Sequence, residues 1–450
     1  MTELAELAAF TARLKWEDVP EHVKQETANR VLDTIGAAIA AAKWKQVQDV
    51  SDLWCSISGE AQVSVWGQAR KIGLFQAVFL NALMGHSTEM DDVHTGSKAH
   101  IGTVVIPAAW GLAEYLKVSG KELLLAVLCG YEVTARLGKA FGVTAHRGMG
   151  WHATSTCGVF GAAAACAKLL GLDEEKTLYA LALAGAQSFG TWAFLKDGAS
   201  CKVLNPARAA QSGLEAAMLA KAGMTGAEHI LTAEDGGLFS VMSSAPDISM
   251  VSHGLGSVWE ILAVDVKPYP ACRSTHCTID GTKRICREHQ VDWKNIERVE
   301  VETYEVGYKQ CGLAEGSIHP TKAIHAKFSS PFTVAAAAIY GNVSMRHFEE
   351  DIINDSAVQD LLKRVTIRPS RKFSDDYPEH WGCQVRMFLK SGEMYETYVR
   401  DASGSVENPL TEKEIREKAV DLMKPVIGKK AEIVADELEN LRNQDKIPEL

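Results

Sequence analysis

Lys267-Pro268-Tyr269-Pro270-Ala271-Cys272-Arg273-Ser274-Thr275-His276 divides this chain into two textures. Two prolines in four residues fix φ and remove backbone donors, so no helix runs through the bend. Upstream, to about Leu262, the pattern is helical. Ala- and Gly-rich segments at Phe75 to Gly85, Val104 to Leu116, Lys121 to Leu137, Thr154 to Leu170, Thr177 to Ala186 and Pro206 to Lys221 place apolar residues at helical spacing. Their small side chains let helices approach closely. An earlier helix is expected behind Asp18-Val19-Pro20-Glu21, with the acid read as its cap and the proline as a first-turn residue.

Downstream of the bend the period changes. Alternation at Val299 to Tyr304 and at Val365 to Pro369 predicts strands, and Ser330 to Tyr340 between them predicts an Ala-rich helix. Val385, Met387 and Leu389 alternate, Ser391-Gly392 turns, and Tyr395, Thr397 and Val399 alternate again, which predicts a hairpin over Cys383 to Val399. Thr411-Glu412-Lys413-Glu414 is a capping-box pattern that opens two further helices. The expected fold is mostly α. A large all-helical domain spans residues 1–265, completed by C-terminal helices within 403–450, and a smaller α+β domain spans 266–402.

At 450 residues the chain exceeds the usual size of one hydrophobic core, and its 46% apolar and 23% charged residues are those of a globular protein. The net charge of −10, with no dense Lys/Arg block, argues against nucleic acid as a partner. It also makes any gathered cations informative, because they stand against a negative background. The ten cysteines include no CxxC pair, and Cys272 and Cys277 match neither zinc nor common iron–sulfur spacings, so reduced thiols are expected. The N-terminal Met1-Thr2-Glu3-Leu4-Ala5-Glu6 carries acids where a presequence carries basic residues, which predicts a cytoplasmic protein. The apolar stretches near Val31 to Ala42 and Val159 to Leu170 fall short of the roughly 20 residues a bilayer needs, so no membrane partner is expected.

Four segments concentrate chemistry. Asn81-Ala82-Leu83-Met84-Gly85-His86-Ser87-Thr88-Glu89-Met90-Asp91-Asp92-Val93-His94, continuing through Lys98-Ala99-His100 to Pro107, puts three histidines, two adjacent aspartates and a glutamate between two apolar helices. Such residues brace a loop, line a site or bind a metal, and the spacing matches no strong metal motif such as H-E-x-x-H. Arg147-Gly148-Met149-Gly150-Trp151-His152 presents an imidazole at a helix start, where anions are favoured and where a capping role is equally natural. Lys202 precedes the turn Leu204-Asn205-Pro206, and taken alone it reads as a solvated lysine. The bend at Lys267 adds two cations, two hydroxyls and an imidazole at a domain junction, where sites often form.

Together and in this order, these pieces resemble the MmgE/PrpD family, which includes 2-methylcitrate dehydratase, cis-aconitate decarboxylase and iminodisuccinate epimerase. The Lys-Pro-Tyr-Pro to Thr-His block is the most specific part. The Gly213-Leu214-Glu215-Ala216-Ala217 run and Ala326-Lys327-Phe328-Ser329-Ser330-Pro331-Phe332 extend the likeness over essentially the whole chain. The resemblance implies an all-helical domain with a smaller α+β lid, a cleft between them, a homodimer, and neither metal nor organic cofactor. It also implies that His100, His152, Lys202 and His276 line the active-site cleft, with Asp91, Asp92, Lys267 and Arg273 beside them; the first four are expected to carry catalysis, and the other four together with Ser274 to bind substrate. Glu89 stands where a shorter Asp is common and Val93 where Thr is common. The loop from Asp92 to His100 carries an extra residue, which places the departure in the substrate and not in the reaction type.

The expected activity is cofactor-free proton transfer next to a carboxylate of a small polycarboxylic acid. Positioned cations stabilise the resulting enediolate, and two imidazoles, His100 and His276, share the proton work. Dehydration of a hydroxy-tricarboxylate such as 2-methylcitrate, a carbon–oxygen lyase reaction, ranks first. Epimerisation of an iminodisuccinate-like dicarboxylate ranks second and cis-aconitate decarboxylation third. A non-catalytic binding protein on the same fold is the reading from another class, and a scaffold has no need to gather these imidazoles and ammonium groups.

Overall fold

A computed structural model describes residues 2–450. The chain folds into two compact units. The first comprises Met1–Phe194, Cys201–Val266 and Thr411–Leu450, and the second comprises Leu195–Ser200 and Lys267–Leu410. Helix dominates and the strands concentrate in one small sheet, so the mostly-α expectation holds.

The first unit is a stack of helices whose centre is apolar on every side. Gly102–Leu116 is buried from Gly102 to Ala113, and Gly158–Leu169 from Gly158 to Ala167. Small residues make that packing possible. A Cβ on Gly161 would lie 1.9 Å from Thr134 Oγ1 and 2.5 Å from the Gly130 carbonyl, so the helices Gly120–Ala140 and Gly158–Leu169 approach at backbone distance. The helix Gly120–Ala140 opens on a Ser119/Glu122 capping box, and the C-terminal helix Glu412–Ile427 on the predicted Thr411/Glu414 box.

Two local expectations fail. Asp18 does not cap the following helix: it sits in a short 3-10 turn, and the helix Glu21–Ala40 begins behind Pro20 with no side-chain cap. The segment from Thr154 to Leu170 is not one helix but two, Ala153–Thr156 and Gly158–Leu169. Its hydroxyls explain the break. Ser155 Oγ donates to the Asn205 carbonyl, while Thr156 Oγ1 meets both the His152 carbonyl and His146 Nε2, and such bonds compete with a continuous ladder.

The second unit carries a four-stranded sheet of β1 (Ile296–Thr303), β2 (Val365–Pro369), β3 (Cys383–Leu389) and β4 (Met394–Val399), in the order β2-β1-β3-β4. β1 and β2 run parallel, and the other pairs are antiparallel. Alternate residues Cys383, Val385, Met387 and Leu389 point into the core, with Ile279 and Ile285 of the helix His276–Glu288 and Ala335 and Ala336 of Ser330–Tyr340 in the same cluster. β4 is an edge strand with Met394, Glu396 and Tyr398 left to solvent-accessible positions. All ten cysteines are free thiols. Among the described residues, no helix is long and apolar enough to cross a membrane.

Candidate active site

The site of the first unit grows from a helix end. His86 lies in the last turn of Leu74–Ser87, after which the chain turns sharply at Glu89, whose φ of 61° is one that non-glycine residues rarely adopt. The Glu89 carboxylate forms a buried ion pair with the Lys202 ammonium, which helps hold that conformation. Val93–His94 then pairs with Val264–Asp265. His94 Nδ1 accepts from the Ser97 amide at 3.0 Å, so Nε2 carries the proton toward Glu260 at 3.2 Å, and Lys139 completes the clamp at 2.7 Å. His94 therefore fastens the loop that delivers His100.

Asp92 works in two directions. Its carboxylate accepts from the Gly102 amide at 3.0 Å and from Tyr131 Oη at 2.6 Å. Burial pushes this carboxyl up to about 6, against the opposing pull of the Tyr131 hydroxyl, Arg30 and the Gly102 amide. A Cβ at Gly102 would lie 2.3 Å from Thr34 Oγ1 and 2.7 Å from Tyr131 Oη, so only glycine fits there. The Asp92 backbone carbonyl meets His100 Nδ1 at 2.7 Å. Behind this loop the C-terminal helix supplies Lys418, which pairs with Asp33 at 2.6 Å and donates to the Met90 carbonyl at 2.9 Å.

Three imidazoles meet in the cluster. His86 and His100 have ring centroids 5.0 Å apart, and His86 and His152 5.9 Å. Their tautomers follow from their partners. A carbonyl only accepts, so His100 Nδ1 is the protonated nitrogen facing Asp92, with Asp91 Oδ2 3.2 Å from the same nitrogen. His100 Nε2 is left for chemistry, and this side chain alone among the three retains clear exposure, at 13%. His86 Nδ1 lies 2.5 Å from Asp91 Oδ2, and its Nε2 has no hydrogen-bond partner among the described residues. Asn205 behaves oppositely. Its amide donates to the Thr191 carbonyl at 3.3 Å and to His152 Nδ1 at 3.1 Å, so His152 carries its proton on Nε2, a buried donor with no partner among the described residues.

Burial, reinforced by the Lys202 charge, holds His86 down to about 4. Burial first, and then the neighbouring His86 and Lys202, keeps His152 well below its ordinary value. Both rings are neutral near pH 7. For stability the sign is fixed: between about 4 and the ordinary 6.5, the unfolded chain binds the His86 proton and the folded chain does not. Stability is therefore lost as pH falls through that window, by up to about 3 kcal/mol for this one group. Urea melts at pH 4.5 and 7 should show a smaller loss in His86→Gln than in the parent chain. An equal loss in both would remove His86 as a cause.

His86, Asp91 and His100 offer ligand atoms within 4.8 Å of one another, a grouping that fits a metal on distance alone. The donor set fits one poorly. Both Nδ1 atoms already face acceptors at 2.5 and 2.7 Å, and the Lys202 ammonium acts on the His86 ring as a competing cation. The arrangement is better suited to holding and moving protons.

The structure thus gathers Asp91, His100, His152 and Lys202, whereas the Asp92 side chain is turned into the helical core. His86, Glu89 and Asn205 join them, although none of the three is singled out as a site residue from the sequence, and Tyr131 holds the Asp92 side chain in the core. His86 and Glu89 are visible in the polar segment, but Asn205 reads only as part of a turn. In the second unit, Lys267, Arg273, Ser274 and His276 are all buried. Ser274 Oγ donates to Gln310 Oε1 at 3.0 Å and accepts from Tyr304 Oη at 2.8 Å. His276 Nε2 meets the Ala271 carbonyl at 3.2 Å, and its ring stands edge-on to Tyr269. The Arg273 guanidinium lies 5.8 Å from the centre of the Trp381 ring.

Comparison with known proteins adds a family-wide frame. Residues 5–251 match the MmgE/PrpD N-terminal domain and residues 269–443 the MmgE/PrpD C-terminal domain. The chain is 29% identical to a cis-aconitate decarboxylase-like protein of Aspergillus oryzae, over 94% of this chain and 91% of that one. It is 26% identical to a cis-aconitate decarboxylase of Aspergillus terreus, covering 91% of this chain and 86% of the relative, and 28% identical to the human cis-aconitate decarboxylase, covering 90% and 84%.

Proposed function

The chain belongs to the MmgE/PrpD family, and from that premise we propose that it is a carbon–carbon lyase that decarboxylates a cis-aconitate-like unsaturated tricarboxylate. This reading moves decarboxylation ahead of the dehydration ranked first from sequence. It is supported by similarity, over at least nine-tenths of the chain, to proteins named for cis-aconitate decarboxylation. The observation that supports the proton-transfer role is the 2.7 Å contact from His100 Nδ1 to the Asp92 carbonyl, which leaves Nε2 available to exchange a proton with the substrate.

In the proposed reaction, the carboxylate on the substrate's methylene leaves as carbon dioxide. The bonding pair left behind forms the new double bond, and the old double-bond pair moves onto the carbon beside a retained carboxylate. That carbon takes one proton from His100 Nε2–H. The imidazole starts as the cation, with Asp91 close enough to offset its charge, and ends as the Nδ1–H tautomer that the Asp92 carbonyl holds. The Lys202 ammonium and the His152 Nε2–H donor offset the charge that develops on the retained carboxylate. Run in the opposite sense, the same Nε2 lone pair abstracts a proton, as dehydration or epimerisation requires. Lys267, Arg273 and Ser274 are proposed as carboxylate ligands and His276 as a second acid–base group.

A product screen separates these branches. Incubated with cis-aconitate, the protein is expected to release carbon dioxide and leave an unsaturated dicarboxylate, while 2-methylcitrate stays intact. An unsaturated tricarboxylate formed from 2-methylcitrate, with cis-aconitate unchanged, would restore dehydration in place of decarboxylation.

A further inference from the structure

The second unit contains a cavity of about 610 Å³, within the size range of small-molecule sites. Its walls include Lys283, Arg284 and Arg287 of the helix His276–Glu288, together with Tyr269, Asp280 and Asp401. The two acids are already engaged by protein donors. Asp280 accepts from Tyr269 Oη at 2.6 Å and from the Ser403 amide at 2.7 Å, and Asp401 pairs with His380 at 2.8 Å.

The three cations are not matched in this way. Lys283 Nζ reaches only neutral partners, Tyr269 Oη at 3.1 Å and Asn342 Oδ1 at 3.2 Å. Arg284 meets Thr397 Oγ1 at 3.4 Å and the Tyr398 carbonyl at 3.3 Å, which are also neutral. Among the described residues, none of the three makes an ion pair. Arg287 in the last turn has a partial explanation, because a cation near a helix C-terminus complements the macrodipole. The macrodipole does not explain Lys283 and Arg284, which are half-buried beside a cavity. Burial, with Arg287 adding to it, lowers the Lys283 ammonium from its ordinary value despite Asp280, so an incoming anion would relieve a real cost. In a chain of net charge −10, a cavity whose three cations outnumber its two carboxylates has a net positive lining.

We propose that this cavity binds a small polyanion bearing two or three negative charges on phosphate or carboxylate groups, held by Lys283, Arg284 and Arg287. Guanidinium groups suit either anion because they donate paired hydrogen bonds in a plane. Tyr269, which forms part of the wall, also packs edge-on against His276 with ring centroids 5.3 Å apart, so the cavity borders a residue assigned to the reaction. The binding claim does not depend on that assignment.

The test is isothermal titration of the full-length protein with pyrophosphate and, separately, with tricarballylate at low salt. Saturable binding is expected for at least one probe, weakened about tenfold or more by Arg284→Gln and by Arg287→Glu. Arg287 is exposed, so its charge reversal leaves the fold intact. Binding of pyrophosphate alone would identify phosphate groups as the ligand class, and binding of tricarballylate alone, with the same variant sensitivity, would identify carboxylates. No saturable binding of either probe by ~10 mM, or equal affinity in the parent and both variants, would overturn the proposal.

Discussion

His100→Ala is expected to lower turnover by roughly 10²–10⁴ while leaving the fold intact, the range that loss of a positioned proton-transfer group produces. The expectation rests on tautomer control. The Asp92 carbonyl fixes the proton on Nδ1, and the partly exposed ring leaves Nε2 as the exchanging atom. A structural histidine would behave otherwise: its loss would appear as lower stability, with activity per folded molecule retained. Circular dichroism and a denaturation midpoint alongside the kinetics separate the two cases. His100→Gln offers a further check, since an amide can keep a hydrogen bond to the Asp92 carbonyl but cannot exchange a proton at neutral pH, and it should be as inactive as the alanine variant.

Lys202→Met is expected to have two separable effects. The Lys202 and Glu89 side chains are only 3% and 4% exposed, so removing the ammonium takes an ion-pair partner from a buried carboxylate, at a cost of up to about 3–5 kcal/mol. It also removes a cation proposed to stabilise the developing enediolate. Adding Glu89→Leu should recover much of the stability, because replacing both members of a buried ion pair by apolar groups is often nearly neutral. Activity should not return. Recovery of both in the double variant would reduce Lys202 to a structural partner of Glu89.

The elements most legible in the sequence are those whose signals are local. The hairpin over Cys383 to Val399 announces itself by period-two alternation around Ser391-Gly392, and the Thr411/Glu414 box by its spacing. The break at Cys157 is illegible for the opposite reason: it depends on Ser155 and Thr156 finding partners at Asn205 and His146. The site divides in the same way. Asp91, His100 and His152 are chemically conspicuous in Gly- and His-rich segments, and only the resemblance groups Lys202 with them. The relations that define their protonation are long-range. Nothing near Asn205 in sequence says that it orients an imidazole 53 positions away, and Tyr131 lies 39 positions from the carboxylate it binds. Lys418 approaches Asp33 and Met90 only because the C-terminal helix returns to the first unit. By residue type and resemblance Asp92 reads as a substrate ligand, yet its side chain serves Gly102 and Tyr131 while its backbone serves His100.

The most direct test of proton delivery by His100 is turnover of cis-aconitate in deuterated water, followed by NMR, with the parent chain and His100→Ala compared side by side. The expected result is a decarboxylated product carrying one solvent deuterium on the carbon beside a retained carboxylate, formed by the parent chain and nearly absent with the variant. A product without solvent deuterium, or equal deuterated product from both proteins, would contradict that role for His100.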